Sequence, residues 1–262
     1  MKQRHTSTRP LHQSLLITLL LTLSVSASAK ITSMSDAVNK AGKQRMITQR
    51  LLKDYALIGM NNTYGDPKGD LKEMITLFDT SLDELTAYVK DADAQMSLAK
   101  VKTLWQPVKK KLQATPDKEK VLTLQKEIEA LLKAADESTR RIAEAAHSQS
   151  ADIVNISGRQ RMLSQRMASL YMLKVWEVND AETDKKLLQA MEEYEKAQSK
   201  LLKSDLNTPE TKKLLEDAAK SYRFFQVMGK SDSKKFIPSL INRSANKILK
   251  AMHEATLLYA SK

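Results

Sequence analysis

Along most of the chain, apolar residues return at intervals of three and four, as in Leu124, Ile128, Leu131 and Leu132, while Lys and Glu fill the positions between. That period gathers the apolar side chains into one stripe of an α-helix. Beyond residue 30 nothing alternates like a strand over a useful length, so the pattern predicts an all-α protein. Three breaks divide the first half. A turn-rich stretch runs from Asn61 to Gly69, Asp91-Ala92-Asp93 interrupts the next helix, and Thr115-Pro116-Asp117 reads as N-cap, N1 proline and first-turn acid of a fourth. The second half is broken at Asn179-Asp180, at Thr208-Pro209-Glu210 and from Gly229 to Asp232. Four amphipathic helices of about 20 to 30 residues joined by short loops predict an antiparallel four-helix bundle. The fold expected is two such bundles in tandem.

The halves are copies of one another. Asn39-Lys40-Ala41-Gly42-Lys43-Gln44-Arg45-Met46-Ile47-Thr48-Gln49-Arg50 returns as Asn155-Ile156-Ser157-Gly158-Arg159-Gln160-Arg161-Met162-Leu163-Ser164-Gln165-Arg166. The same offset carries Asp36 to Asp152, Val38 to Val154, Tyr55 to Tyr171, Phe78 to Tyr194 and Leu85 to Leu201. A repeat of roughly 115 residues is a usual domain size, and the domains expected are 30–146 and 147–262. At the joint, His147-Ser148-Gln149-Ser150 contains neither Pro nor Gly. Helix four could run straight on and stack the bundles end to end, or Ser150 could cap a new helix after a reversal and lay them side by side.

The first residues are expected to lie outside the fold. Lys2, Arg4 and Arg9 make a basic start, Leu15 to Val25 an apolar run too short to span a bilayer comfortably, and Ala27-Ser28-Ala29 a small-residue cleavage site. Residues 1–29 therefore read as a signal peptide cleaved before Lys30, which makes a periplasmic location the expectation. The whole chain has a net charge of +12. After export such a balance points away from nucleic acid and toward small anions or acidic surfaces. The absence of Cys removes disulfides, thiolate metal sites and Cys nucleophiles.

A helical wheel of the repeated motif separates its cations. Lys43 and Arg50 share an edge with Asp36, where a solvated face is expected, as it is for Arg159 and Arg166. Arg45 falls instead with Val38, Gly42, Gln49 and Leu52, and Arg161 with Val154, Gly158, Gln165 and Ala168. Ala37, Ile47, Leu51 and Tyr55 form a separate apolar sector, repeated by Leu163, Met167 and Tyr171, so Tyr55 and Tyr171 are core candidates. The helix thus has two contact faces. A mid-helix glycine costs about 1 kcal/mol relative to Ala unless a close approach offsets it, and Gly42 and Gly158 are two of only six. They predict a close crossing with Arg45 and Arg161 at the seam. Neighbouring guanidiniums removed from water repel, and no acidic residue lies nearby in that sector, so a bound oxyanion would complete the arrangement. Gln49 and Gln165 could contribute to such a site or serve as interhelical hydrogen-bond links.

The string Asn155 to Met167, with its variant at Asn39 to Leu51, resembles the signature of the PilJ-type sensor domain, the N-terminal domain of type IV pilus chemotaxis transducers. It is also similar to the P-box of the NarX/NarQ nitrate sensors. The resemblance covers both copies. It implies a helical-bundle sensor in which the Arg before Met, from two copies of the motif helix, grips one nitrate or nitrite. By position those residues are Arg45 and Arg161, with Gly42, Gly158, Gln49, Gln165, Asn39 and Asn155 around them. Members are usually membrane receptors with a cytoplasmic signalling half, whereas this sequence shows no second membrane span and no kinase or methylated coiled-coil region. The first copy also departs from the second, with Lys43 for Arg159 and Ala41 for Ser157.

Two functions follow. The first is a periplasmic binding protein that recognises a small oxyanion and passes the signal to a membrane receptor or signalling protein in chemotaxis, alone or as a homodimer. The alternative is a helical docking or structural protein of a pilus or signalling complex, with the motif as a seam only. No enzyme, metal or cofactor is expected. His147 and His253 lack ligand-spaced partners, and there is no HExxH, paired Glu-x-x-His or nucleophile elbow.

Overall fold

The computed structural model describes residues 31–146, 149–178, 181–229 and 237–261. Segment 1–29, for which a signal peptide is expected, His147-Ser148 at the joint, Asn179-Asp180 and most of the Gly229–Asp232 break lie outside the described residues. Eight helices are found among those described: α1 (Met34–Gly59), α2 (Pro67–Tyr88), α3 (Ala92–Leu112), α4 (Val121–Ala146), α5 (Gln149–Val175), α6 (Ala181–Leu202), α7 (Pro209–Gly229) and α8 (Pro238–Ala260). Helix α1 packs on α2 and α4, and α4 on α3. Helix α5 repeats this with α6 and α8, and α8 with α7. The fold is all-α, two antiparallel four-helix bundles in tandem.

The helix boundaries follow from local chemistry. Ser33 caps α1 by accepting from the Asp36 amide, Asp66 caps α2 with Pro67 next in line, and Asp91 caps α3 through the Ala94 amide. Thr208 accepts from the Thr211 amide at 3.2 Å, as expected of the helix opening at Pro209. The other Thr-Pro start is displaced, since α4 begins at Val121 rather than at Pro116. There the Asp117 amide donates to the Tyr55 hydroxyl at 3.0 Å, and the Asp117 carboxylate takes the Glu119 amide at 2.9 Å. The acid closes a turn ahead of the helix instead of occupying its first turn.

Each bundle has an aromatic centre. Phe78 and Trp105 lie 4.2 Å apart between ring centroids in the first, Tyr194 and Tyr222 4.5 Å apart in the second. Tyr55 and Tyr171 are buried, and their hydroxyls accept from equivalent connections, the amides of Asp117 and Ile237.

The bundles lie side by side. Helices α1 and α5 run parallel and share a long contact, from Arg161 at Asn39, through Ser169 at Gln49, to Trp176 at Tyr55. Helix α5 returns antiparallel along α4, with Arg166 on Glu129 and Arg159 near Asp136. The chain therefore reverses after Ala146, and the end-to-end alternative does not hold. The motif helix has its two faces: Gln44 and Gln160 point into their own bundles, toward Ser81 Oγ and the Tyr194 carbonyl, while Arg45 and Arg161 face across the α1–α5 seam.

Candidate functional site: the arginine seam

At the seam the two copies are related by an approximate two-fold. Arg45 Nη2 donates to the Asn155 carbonyl at 3.3 Å, and Arg161 Nη2 donates to the Asn39 carbonyl at 3.4 Å. Each guanidinium reaches over the other helix at its glycine. A Cβ on Gly42 would stand 3.2 Å from Arg45 Nη2 and 3.5 Å from Arg161 Nη2; one on Gly158 would stand 3.1 Å and 3.5 Å from the same pair in the opposite order. The two Nη2 atoms thus meet in the space where both glycines lack a side chain, and any larger residue would crowd them.

Both arginines are 1 % exposed. Their Nε atoms, the side-chain oxygens of Asn39 and Asn155, and Gln165 Oε1 are buried without a hydrogen-bond partner among the described residues. Gln49 Oε1 accepts from Ser169 Oγ at 3.4 Å, so this glutamine links α1 to α5, whereas the Gln165 amide nitrogen donates to Ser164 Oγ of its own helix. Thr48 and Ser164 return their hydroxyls to the carbonyls of Arg45 and Arg161, both at 2.8 Å.

The outer edge of each guanidinium breaks the symmetry. Arg45 Nη1 donates to Asp136 Oδ1 at 2.7 Å. Arg161 Nη1 approaches His253 Nδ1 at 3.3 Å. A guanidinium only donates, so this contact needs the neutral ring with its Nδ1 lone pair turned to Arg161. Burial holds the His253 pKa down to about 4, helped by the positive charges of Arg161 and Lys43. Burial also lowers the proton affinity of Arg45, against the pull of Asp136. Arg161 is lowered to about 9 by burial and then by Arg45, with no carboxylate opposing. At neutral pH Arg161 carries its charge with no carboxylate within 4 Å among the described residues, whereas Arg45 is paired with Asp136.

The expectation that no acid would serve the seam is corrected here. It holds for the motif helix, but Asp136 arrives from α4. His253, set aside in the sequence for lack of a ligand-spaced partner, occupies the matching place on α8. The signal that relates them is the buried stripe of the fourth helices, where Leu124, Ile128, Leu131 and Thr139 match Ile241, Ala245, Ile248 and Thr256. That register is one residue longer than the offset of the motif, which hides the pair from a fixed-offset comparison. The solvated face expected for the remaining cations is corrected as well. Arg50 is bound to Asp70 at 2.7 Å, Arg166 to Glu129 at 2.7 Å and Arg159 to Glu193 at 2.9 Å, each on another helix. Lys43 is half-buried and has no ion pair within 4 Å among the described residues.

Among the described residues no helix is long and apolar enough to cross a membrane, and no group of three His, Cys, Asp or Glu is placed to hold a metal ion. The family model described as "Type IV pili methyl-accepting chemotaxis transducer N-term" (PilJ) matches residues 27–136 and 144–223, which include both motif helices. No curated protein and no solved structure matches the chain.

Proposed function

Since the chain belongs to the PilJ family of type IV pilus chemotaxis transducer N-terminal domains, a sensor-type helical fold, we propose that it is a periplasmic binding protein whose Arg45 and Arg161 grip one small oxyanion, nitrate or nitrite. The ligand would lie at the paired glycines, and occupancy would be passed to a membrane receptor or signalling protein. The observation that carries this reading is the reciprocal reach of the two Nη2 groups over Gly42 and Gly158, with Arg161 buried and lacking a carboxylate. Two guanidiniums held together out of water repel unless an anion lies between them. A planar oxyanion taking charge-assisted bonds from both, each contributing about 1.5–3 kcal/mol, offsets that cost. The amides of Asn39 and Asn155 can turn their NH2 groups to the same ligand, and Gln165 has a free acceptor for any proton-bearing species.

Because α1 and α5 lie parallel within one chain, both arginines come from a single molecule, and a homodimer is not needed to complete the site. A thermal-shift series in nitrate, nitrite, chloride and acetate tests the proposal. Nitrate or nitrite should raise Tm in proportion to RT ln(1 + [L]/Kd), and Arg161→Met should abolish the rise. A second reading draws on the Arg45–Asp136 pair at 2.7 Å, which already satisfies half the seam. On that reading the motif is a docking seam, and no anion shifts Tm.

A further inference from the structure

Two cavities flank the seam at equivalent places, one lined by Arg161 and the other by Asp136, the partner of Arg45, and they differ in charge. The cavity beside Arg161 has a volume of about 370 Å³, its counterpart beside Asp136 about 190 Å³. Lys43, Met46, Arg50 and Lys250 of the first match Arg159, Met162, Arg166 and Lys133 of the second. In the smaller cavity the cations are largely spent. Glu193 holds Arg159, Glu129 holds Arg166, and Asp136 holds Arg45. In the larger one the positions of those acids carry Leu77, Asn246 and His253. Arg50 is held from outside by Asp70, but Lys43, Arg161 and Lys250 have no ion pair within 4 Å among the described residues, and Glu73 is the single carboxylate on the wall. These three cations come from three helices, α1, α5 and α8, around an apolar floor of Met74, Leu77 and Leu249.

We propose that this cavity is a second anion site, separate from the seam, that takes a small aliphatic dicarboxylate. One carboxylate would meet Lys43 and Arg161 Nη1, the other Lys250, which is exposed at the cavity's edge, and the short carbon chain would lie against the apolar lining. A monovalent oxyanion leaves one side of this wall unanswered, and a larger apolar ligand has no use for three cations. The volume lies in the range of small-molecule sites. Burial, and then the nearness of Arg161, lowers the pKa of Lys43 against a weaker opposing pull from Glu73.

The seam and the cavity meet at opposite edges of Arg161, so the test uses residues outside the seam. Calorimetric titration of the chain with succinate should show one site. Lys43→Gln and Lys250→Gln should each weaken it at least tenfold, and the double change Leu77→Glu, Asn246→Glu, which copies the acids of the smaller cavity, should abolish it. Nitrate affinity in Lys250→Gln should stay within twofold of the parent. Glycerol 3-phosphate serves as the comparison dianion, and tighter binding of it than of succinate would overturn the dicarboxylate assignment. No succinate binding, or binding indifferent to both lysines, would overturn the site while leaving the nitrate reading standing. Succinate binding without nitrate binding would remove the seam reading and keep this one.

Discussion

Arg45 and Arg161 occupy equivalent positions on parallel helices, reach over equivalent glycines, and donate to equivalent carbonyls, yet one ends on Asp136 and the other on His253. The duplication preserved the backbone of the clamp and divided its electrostatics. The Asp136 side is self-sufficient and holds the seam together. The His253 side leaves a buried charge with no carboxylate within 4 Å among the described residues, its partners being a neutral ring and the Asn39 carbonyl, and on the proposed reading that deficit makes the seam receptive to an anion. A fully symmetric pair would give either a neutral interface with two carboxylates or a strongly repulsive one with none.

The largest effect is expected from breaking the satisfied half. Asp136→Asn leaves Arg45 buried without a counter-charge and should destabilise the protein by roughly 2 kcal/mol, less than for a fully buried pair because the Asp136 side chain is 43 % exposed. Urea unfolding measures this, and saturating nitrate should return part of the loss. The complementary change, His253→Asp, builds the satisfied arrangement on the second side. It should raise Tm and weaken nitrate about tenfold, or about 1.4 kcal/mol, in a calorimetric titration.

Gly42→Ala and Gly158→Ala separate packing from recognition. Helix propensity alone favours alanine by about 1 kcal/mol, while the new methyl would stand 3.2 Å or 3.1 Å from a guanidinium end. Unfolding stability should change by less than about 1 kcal/mol in either direction, and nitrate affinity should fall in both variants. Gly59 behaves differently: a Cβ there would stand 2.2 Å from the Trp176 ring, a rigid neighbour, so Gly59→Ala should destabilise without any specific effect on nitrate.

The smallest effect is on pH dependence. His253 binds its proton near pH 4 in the folded chain and near the ordinary 6.5 when unfolded. Between those values the unfolded chain takes up more protons, so this group weakens the fold as pH falls. Asp54, raised to about 6 from 3.8 chiefly by burial, tilts stability the opposite way over an overlapping range. The difference between the parent and His253→Gln isolates the histidine. Acidification from pH 7 to pH 4.5 should cost the parent more stability than the variant.

Much of this architecture was legible in the chain. The three-four period marks the helices, and the repeated motif with its glycine places Arg45 and Arg161 together on a face distinct from the core tyrosines. The sequence does not show where α4 starts, because Asp117, placed like a first-turn acid, closes a turn through its carboxylate and donates its amide to Tyr55. Asp136 and His253 were hidden for a different reason. They take equivalent places on α4 and α8 only after the repeat changes register, and a wheel drawn for α1 says nothing of what α4 brings to it. The ion pairs of Arg50, Arg159 and Arg166 likewise join different helices, so only the packed structure reveals them.

The central claim is that one chain supplies both halves of an anion clamp. Isothermal titration of nitrate into the parent, Arg45→Met and Arg161→Met tests it most directly, since a long apolar side chain keeps the seam filled while removing the charge. The account predicts one nitrate per chain in the parent and none measurable in either variant, with both variants folded. Unchanged nitrate affinity in Arg161→Met, or two nitrates per chain lost independently, would contradict it.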